Sequence, residues 1–539
     1  MKNFLTFAVS VTMIIVLSSC ARYKVINQEK YKKVTEIEMD RMPIYTKQYN
    51  NGYFVLSHFE DDNNASKAFL GVLYDDDFKK LDSFFIPKPE FDNIASFVMK
   101  NDILTFVNRT NMTDQMDIGL FGNSDKLPIK FNGFNYDMKT RKVIKSDSLY
   151  NLYFYEREDV AGEINAIVRF SPDSTRFLII SKTFDLNDSA LFIGKTYNSD
   201  LNMTSEFEFK INYPEDEGNH TLDIVLDNSG NSYIVSAFRG EDEKDNYVQI
   251  DAIGLNGAKI EKKIYFKNEI REKGEETFID AHASVKVKND NVLAIAIAHS
   301  LKRVKIIGFS YIETDVFNDK SIIKKSNVFG EDRIEQLVDD DSFFNYKIAD
   351  CLYSPNGNIL LNLCCEVAIT KKDKLNYGQK AWENKSSSTE NWVYKHLLLY
   401  YDKDFNPKWQ TLIDGSPIRM EIMTKGDGIY DFGSHKSWYD YRHNTPGFKY
   451  KGFGWDWRYN GFLDVYFMNN NIYTYSMTSF NDRGLSSLKI NESDGRISDK
   501  KMFVSTFDFI SFDLNNNFII RNPDSFLVYC LDGFYFDFR

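Results

Sequence analysis

One pattern recurs along the whole chain: an aliphatic or aromatic run, a short turn rich in Asn, Asp and Gly, and a second such run. The runs, for example residues 177–180 and 359–361, have the composition of β-strands. Asn, Asp and Gly supply the positive φ that tight hairpins require. The turns therefore predict eight hairpins. They fall at Asn51-Gly52, Asn101-Asp102, Pro172-Asp173-Ser174, Asn228-Ser229-Gly230, Asn289-Asp290, Asn356-Gly357, Asn469-Asn470 and Asn515-Asn516.

A second turn follows these first turns at a regular offset, so each unit contains two hairpins and four strands. The offset is 24 or 26 residues for the pairs Gly52 and Asp76, Ser174 and Asp200, Gly230 and Asn256, and Asn470 and Asp494. Four antiparallel strands repeated around a ring are the sequence sign of a β-propeller. We therefore predict an all-β propeller of four-stranded antiparallel blades, with eight blades favoured and seven as the alternative. A right-handed β-helix is the second choice of fold, although its coils would not need two hairpins each.

Composition agrees with one large folded unit. The 539 residues include 45 Phe, 32 Tyr and only 11 Pro, which is enough apolar surface to offset the entropy lost on folding. We expect residues 41–539 to form a single propeller domain, with a short last unit from residue 512 that is completed by an N-terminal strand around residues 44–49. The net charge of −12 repels phosphate backbones, so no nucleic-acid partner is expected.

The N-terminus has the organisation of a secretory signal. Lys2 is followed by an uncharged apolar stretch, residues 4–17, that is too short to span a bilayer. It ends in Leu17-Ser18-Ser19-Cys20, which resembles the lipobox of bacterial lipoproteins. The alternative is a plain signal peptide with an incidental Cys. The resemblance implies that residues 1–19 are removed, that Cys20 carries lipid including palmitate, and that residues 20–40 are the lipidated Cys and its tether.

The lipobox resemblance also bears on location. Several acyl chains hold a protein on a membrane far more firmly than one chain does. In proteins of this class an Asp after the Cys retains the chain at the inner membrane, and this chain has Ala21 there. The resemblance therefore implies the outer membrane. The absence of an acidic run after Cys20 favours the periplasmic face over the cell surface.

The aromatic residues between 382 and 457 are the sharpest anomaly of composition. All six Trp lie in that stretch, and residues 426–461 combine Trp and Tyr with many Gly, which breaks the hairpin pattern. We predict that this insertion is a loop at one end of the ring, over or beside its central channel. Two interpretations stay open: a ligand-binding surface, or rings packed on the propeller. The candidate ligand-binding residues are Trp438, Tyr439, Tyr441, Trp455 and Trp457.

Motifs of catalysis and metal binding are missing from the sequence. The chain has no Gly-x-Ser-x-Gly, His-Glu-x-x-His, Walker or dinucleotide-binding motif. His435, Asp440 and His443 lie within the insertion, but their spacing matches no known ligand motif. We therefore predict no metal site and no cofactor. Whether the chain is an enzyme stays open, because propeller enzymes draw their catalytic groups from different blades.

Four cysteines remain after Cys20, namely Cys351, Cys364, Cys365 and Cys530. They lack the density of a disulfide scaffold, and we expect buried free thiols. A hairpin at Asn356-Gly357 would place Cys351 opposite Asn362.

These features together predict a lipid-anchored propeller of the cell envelope that is a non-catalytic binding or assembly module. In architecture it resembles the propeller lipoproteins that assist outer-membrane protein assembly, although their Trp-centred docking repeat is absent here. The alternative is a propeller that binds or degrades glycans through the aromatic insertion. The expected partners are the membrane, through the N-terminal lipid, and a protein or glycan ligand.

Overall fold

A computed structural model gives the fold. It describes residues 24–26, 32–36, 43–60, 66–75, 79–87, 93–111, 129–152, 160–185, 189–212, 220–238, 246–266, 277–289, 291–301, 305–328, 345–371, 388–421, 464–477, 484–504, 518–522, 525–529 and 534–537. Within these ranges all regular secondary structure is β-strand. The strands form eight sheets, which we call blades one to eight in chain order.

The first four blades have four strands each. Blade one contains β3 (Pro43–Tyr49), β4 (Gly52–Glu60), β5 (Ser66–Asp75) and β6 (Lys80–Pro87). Blade two contains β7 (Asn93–Lys100), β8 (Ile103–Asn111), β9 (Ile129–Asp137) and β10 (Lys142–Leu152). Blade three contains β11 (Val160–Phe170), β12 (Arg176–Asp185), β13 (Ala190–Asn198) and β14 (Met203–Ile211). Blade four contains β15 (His220–Leu226), β16 (Ser232–Phe238), β17 (Tyr247–Ile253) and β18 (Lys259–Tyr265).

The other blades follow the same order, and two of them take up strands from the N-terminus. Blade five contains β19 (Thr277–Asn289), β20 (Val292–Leu301), β21 (Lys305–Asp315) and β22 (Lys320–Val328). Blade six contains β23 (Asn345–Tyr353), β24 (Ile359–Lys371), β25 (Ser388–Tyr401) and β26 (Pro407–Glu421). Blade seven contains β27 (Asp464–Met468), β28 (Asn471–Met477), β29 (Gly484–Asn491), β30 (Ile497–Val504) and the added strand β1 (Lys24–Ile26). Blade eight contains β31 (Phe518–Asn522), β32 (Ser525–Tyr529), β33 (Phe534–Asp537) and β2 (Lys32–Glu36).

The sheets have the connectivity of propeller blades. Strands that follow one another in a blade pair antiparallel, and in blades one to six the chain moves to the next blade only after the outermost strand. The first strands of neighbouring blades contact one another, as β7 contacts β11 and β15 contacts β19, so they form the inner ring. The inner strands of blades eight and one, β31 and β3, also touch. The predicted all-β propeller of four-stranded antiparallel blades is confirmed.

The N-terminal strands differ from the prediction. The strand expected to complete the last unit, around residues 44–49, is instead β3, the inner strand of blade one. The outer strand of blade eight is β2, which pairs antiparallel with β33. β1 adds to the outer edge of blade seven and runs parallel to β30. β2 is short and polar, so its sequence alone does not indicate a strand. Its pairing depends on a segment at the other end of the chain.

Apolar side chains fill the space between consecutive blades. Six clusters of buried residues join blade one to two, two to three and so on up to blade seven. Between blades one and two the packing is largely aromatic, and the rings of Phe106 and Phe134 stack 4.4 Å apart. Between blades six and seven Leu360 and Tyr400 pack with Ile472. Because blades two to six each bury their faces against two neighbours, these blades stabilise one another and are not independent units.

The strand connections define two sides of the ring. The turns between the first and second strands of a blade, and between the third and fourth strands of blades one to seven, have two to five residues, and we call their side the turn face. The other connections, between second and third strands and between blades, have three to 42 residues, and we call their side the loop face. Asn51-Gly52, Gly230 and Asn356-Gly357 all lie at the hairpin between the first and second strands of their blades, as predicted.

Cys351 is a buried free thiol on β23, as expected. It pairs with Leu361 and not with Asn362, because the turn between β23 and β24 has five residues, 354–358, and is therefore centred on Asn356.

Candidate functional site

The turn face is held together by the side chains of its own turns. Asp227, which is buried, accepts hydrogen bonds at Oδ1 from the backbone N–H of Asn231 (2.8 Å) and at Oδ2 from the Asn231 amide (2.8 Å). Its Oδ2 also accepts from the hydroxyl of Tyr233 (2.7 Å). The same arrangement recurs at Asp402, which accepts from the backbone and amide N–H groups of Asn406. Such turns satisfy their own polar groups.

Hydrogen bonds also join the turns of neighbouring blades. The side-chain amide of Asn231 donates to Asn291 Oδ1 (2.9 Å), which links blade four to blade five. The Tyr49 hydroxyl donates to Asp102 Oδ1 (2.6 Å), linking blades one and two. The ammonium of Lys139 and this hydroxyl hold the pKa of the Asp102 carboxyl below its usual value. The turn face is thus a connected polar surface that supports the ring.

One tryptophan of the unusual stretch lies on the described part of the turn face. Trp409, on β26 of blade six, stacks on Tyr400 with ring centroids 4.7 Å apart. Its indole N–H donates to the backbone oxygen of Glu492 in blade seven (2.8 Å). The Tyr400 hydroxyl donates to the Glu492 carboxylate. Trp409 is therefore a packing residue that joins blades six and seven.

The predicted ligand-binding residues lie outside the described ranges. These are Trp438, Tyr439, Tyr441, Trp455 and Trp457, together with His435, Asp440 and His443. The chain between β26 and β27, residues 422–463, contains all of them. It connects the outer strand of blade six to the inner strand of blade seven, so the strand ends that it joins belong to the loop face. Cys20 also lies outside the described ranges.

A buried ion pair between blades three and four was not anticipated from the sequence. Arg169 on β11 lies with its Nη2 3.6 Å from Oδ1 of Asp223 on β15, and the two side chains are 8% and 7% exposed. Arg169 Nε also donates to the backbone oxygen of Ile224 (3.1 Å). Asp223 follows a register shift in β15 and accepts the backbone N–H of Ile224 at 2.7 Å. This pair joins two inner strands.

An equivalent pair joins blades five and six. Lys286 Nζ on β19 lies 2.7 Å from Oδ1 of Asp350 on β23 and donates to the backbone oxygen of Cys351 (2.6 Å). Asp350 follows a register shift and accepts the N–H of Cys351, as Asp223 does with its own neighbour. Here the side chains are 36% and 22% exposed. In both pairs the cation on one inner strand contacts an Asp on the inner strand of the next blade. It also donates to the backbone oxygen of the residue that follows this Asp, so each pair joins two neighbouring blades.

Three buried titratable groups, His299, Cys351 and Asp251, have pKa values that are shifted mainly by burial. Burial lowers the pKa of His299 to about 3, so its imidazole is neutral; its Nε2 lies 2.6 Å from the hydroxyl of Ser310, which is fully buried. Burial raises the pKa of Cys351 to about 12, which keeps the thiol protonated and weakly nucleophilic. Burial likewise raises the pKa of Asp251 to about 6. A substrate would not reach these groups.

Neither a group of metal ligands nor a membrane-spanning helix is found in the part of the chain that the structure describes. No three residues among its His, Cys, Asp and Glu side chains are placed to hold a metal ion. The described residues also include no helix with the length and hydropathy of a membrane span.

Comparison with known proteins returns distant solved structures. No protein-family model and no curated protein matches the sequence. The WD40 domain of SCAP from fission yeast is 9% identical, and the match covers 96% of this chain and 96% of that domain's chain with a TM-score of 0.33. An ulvan lyase from a new family of polysaccharide lyase is 8% identical over 83% of this chain and 92% of its own, with a TM-score of 0.35. The β-propeller domain of the Trilobed protease from Pyrococcus furiosus is 10% identical over 72% and 100%, with a TM-score of 0.30.

Proposed function

We propose that this protein is a lipid-anchored β-propeller of the cell envelope that acts as a non-catalytic binding or assembly module, with its ligand bound at the loop face. The observation that carries the proposal is the difference between the two faces. Turn-face connections have two to five residues and, where described, close on themselves, whereas loop-face connections have up to 42. Long connections on a rigid scaffold are where proteins usually place their binding residues.

The anchor in this proposal is Cys20, and the location is the outer membrane, on its periplasmic face. The support is the lipobox resemblance of Leu17-Ser18-Ser19-Cys20 together with Ala21. Metabolic labelling with palmitate tests it. The wild-type protein should take up label and fractionate with membranes, and Cys20→Ser should lose both; label retained by Cys20→Ser would refute the anchor.

A binding role is favoured over catalysis by the state of the described polar groups. The buried ion pair of Arg169 and Asp223 is closed by backbone partners, and His299 and Cys351 are inaccessible. These groups hold the scaffold, so a ligand would meet side chains of the loop-face connections.

The alternative function is glycan binding or degradation through the aromatic insertion. The concentration of Trp and Tyr in residues 426–461 favours it, since flat rings with polar tips suit sugars. Purified residues 21–539 should be tested on a polysaccharide panel beside a variant in which residues 426–461 are replaced by a Gly-Ser linker. Binding that is lost in the variant supports the loop-face site. Release of reducing or unsaturated ends from a bound polysaccharide would replace the non-catalytic proposal with an enzyme.

A matched control keeps this experiment specific to the loop face. Asp404→Ala changes an exposed residue of the turn between β25 and β26, on the same blade that leads into the insertion. It should bind the panel as the parent does. Equal binding by the parent and the linker variant would refute the role of the insertion.

A further inference from the structure

The N-terminal segment pairs with strands of the ring from Lys24 onward. β1 begins at Lys24 and runs parallel to β30, with Lys24 opposite Lys501 and Ile26 opposite Phe503. β2 then forms the outer strand of blade eight. Two stretches of the segment expected to be a tether therefore belong to the outer edges of two adjacent blades.

This pairing limits how far the ring can stand from an anchor at Cys20. Only residues 21–23 separate Cys20 from β1. An extended chain spans about 3.3–3.6 Å per residue, so Cys20 lies within about 14 Å of Lys24. A free tether over residues 20–40 would reach about 70 Å on the same count. The outer edge of blade seven is consequently held close to wherever Cys20 is anchored.

The charge of this edge differs from the charge of the whole protein. The chain has 78 acidic and 66 basic residues. Strands β1 and β30, in contrast, contain more Lys than acidic residues. Their Lys residues are 24, 500 and 501, and their acidic residue is Asp499. A basic edge beside a lipid anchor is attracted to anionic headgroups.

We propose that the outer edge of blade seven, formed by β30 and β1, faces an anionic phospholipid bilayer and that the ring stands on its rim. This inference rests on the proposed lipid anchor at Cys20. On this orientation neither face of the ring lies against the membrane, so a large envelope ligand can approach the loop face from the side. Blade three is four positions away from blade seven in either direction around the ring and points away from the bilayer.

The test measures the distance of two rim positions from the membrane. The full-length lipidated protein is placed in vesicles of phosphatidylcholine and phosphatidylglycerol with headgroup spin labels that quench fluorescence. A thiol-reactive fluorophore is attached to Ser498→Cys on β30 or to Met203→Cys on β14 of blade three, where Met203 is 53% exposed. Labelled parent protein gives the background. Quenching should be several-fold stronger at position 498 than at position 203.

A second variant separates the tether length from the anchor itself. Twelve Gly and Ser residues inserted between Ala21 and Arg22 lengthen the connection without removing Cys20, so quenching at position 498 should fall towards that at position 203. Equal quenching at both positions in palmitate-labelled, vesicle-bound protein overturns the orientation and leaves the anchor intact. Absence of palmitate and of vesicle binding overturns both the anchor and the inference built on it.

Discussion

The turn face and the loop face use the chain in opposite ways. On the turn face, residues such as Asp227 and Asn231 close their turns and bond to the next blade, so specific contacts follow one another around the ring. On the loop face, connections of very different length join strand ends of similar geometry, and the longest runs from residue 422 to 463. The described contacts that join the blades are polar turns and apolar clusters of side chains. Long connections on such a scaffold are where binding residues are generally found, so we expect the ligand at the loop face.

The strongest test of the turn face removes a buried turn carboxylate. Asp227→Ala deletes the acceptor for Asn231 and leaves the buried hydroxyl of Tyr233 without its partner. Hydrogen bonds to charged groups contribute about 1.5–3 kcal/mol each, so the variant should lose at least about 3 kcal/mol of unfolding free energy. Urea unfolding followed by circular dichroism measures it. The matched control, Asp404→Ala, should change stability by less than about 0.5 kcal/mol; equal losses would contradict the account of this face.

Trp409 gives the next largest effect. Trp409→Ala removes a ring stacked on Tyr400 and a hydrogen bond to the Glu492 carbonyl, and it opens a cavity between blades six and seven. Buried aromatic truncations cost about 3–5 kcal/mol, and the partly exposed Trp409 should cost about 3. Trp409→Phe keeps the stacking and should recover more than half of the loss. Thermal melts compare the variants, and a Trp409→Ala protein as stable as the parent would show that the contact contributes nothing.

The free energy of unfolding should depend on pH in opposite directions through Asp251, which lies within a sheet, and Asp102, which lies in a turn. Burial raises the pKa of Asp251 to about 6, above the ordinary 3.8 of an unfolded chain, so the folded state binds its proton more tightly. This residue therefore favours folding most at low pH, and its contribution is lost as pH rises from about 4 to 6. By linkage the change amounts to about 2 kcal/mol. Asp102, whose pKa is lowered, acts with the opposite sign and loses stabilisation as pH falls below 3.8.

Unfolding free energies of Asp251→Asn and the parent between pH 4 and 7 check this prediction. The variant should lack the loss between pH 4 and 6. Glu261→Gln should move the parent's transition to lower pH, because the Glu261 charge helps to raise the pKa of Asp251. Parallel profiles for Asp251→Asn and the parent would contradict the assignment.

Two glycines of the turn face provide a smaller, matched comparison. Gly495 and Gly257 both have positive φ, 71° and 78°, in the turn between the third and fourth strands of their blades. A Cβ at Gly495 would lie 2.6 Å from the Trp409 ring, whereas nothing lies within 4 Å of one at Gly257. Gly257→Ala should cost the backbone strain alone, about 1 kcal/mol, and Gly495→Ala about 1 kcal/mol more. Equal melting temperatures for Gly495→Ala and Gly257→Ala would show that the Trp409 ring moves aside without a cost in stability.

Sequence reasoning recovered the propeller because its evidence is local. Each hairpin carries its own turn residues, and the period of two hairpins per unit specifies the blade. It failed where pairing is distant. The closing strand β2 has no turn signal, because its partner β33 lies at the other end of the chain. A local error arose at Cys351, where the turn after β23 has five residues, 354–358, instead of a tight turn at Asn356-Gly357.

The inner-strand ion pairs were missed for the same reason. Arg169 contacts Ile224 55 residues away, and Lys286 contacts Cys351 65 residues away. The available signal was a charged residue with an apolar neighbour on each side in each inner strand, which marks a position with a buried partner. The candidate ligand site stays a prediction, since Trp438, Trp455 and Trp457 lie outside the described residues.

The central claim, that the loop-face insertion binds ligand while the turn face supports the ring, is tested most directly by tryptophan truncation. Trp438→Ala, Trp455→Ala and Trp457→Ala, singly and combined, are compared with Trp409→Ala by thermal melts and by binding to the polysaccharide or peptide that residues 21–539 retain. Our account predicts that the three insertion variants melt within about 2 °C of the parent and lose binding, because ligand-facing rings add little to stability. Losses of about 3–5 kcal/mol at each of the three positions would mark them as packing residues and contradict the claim.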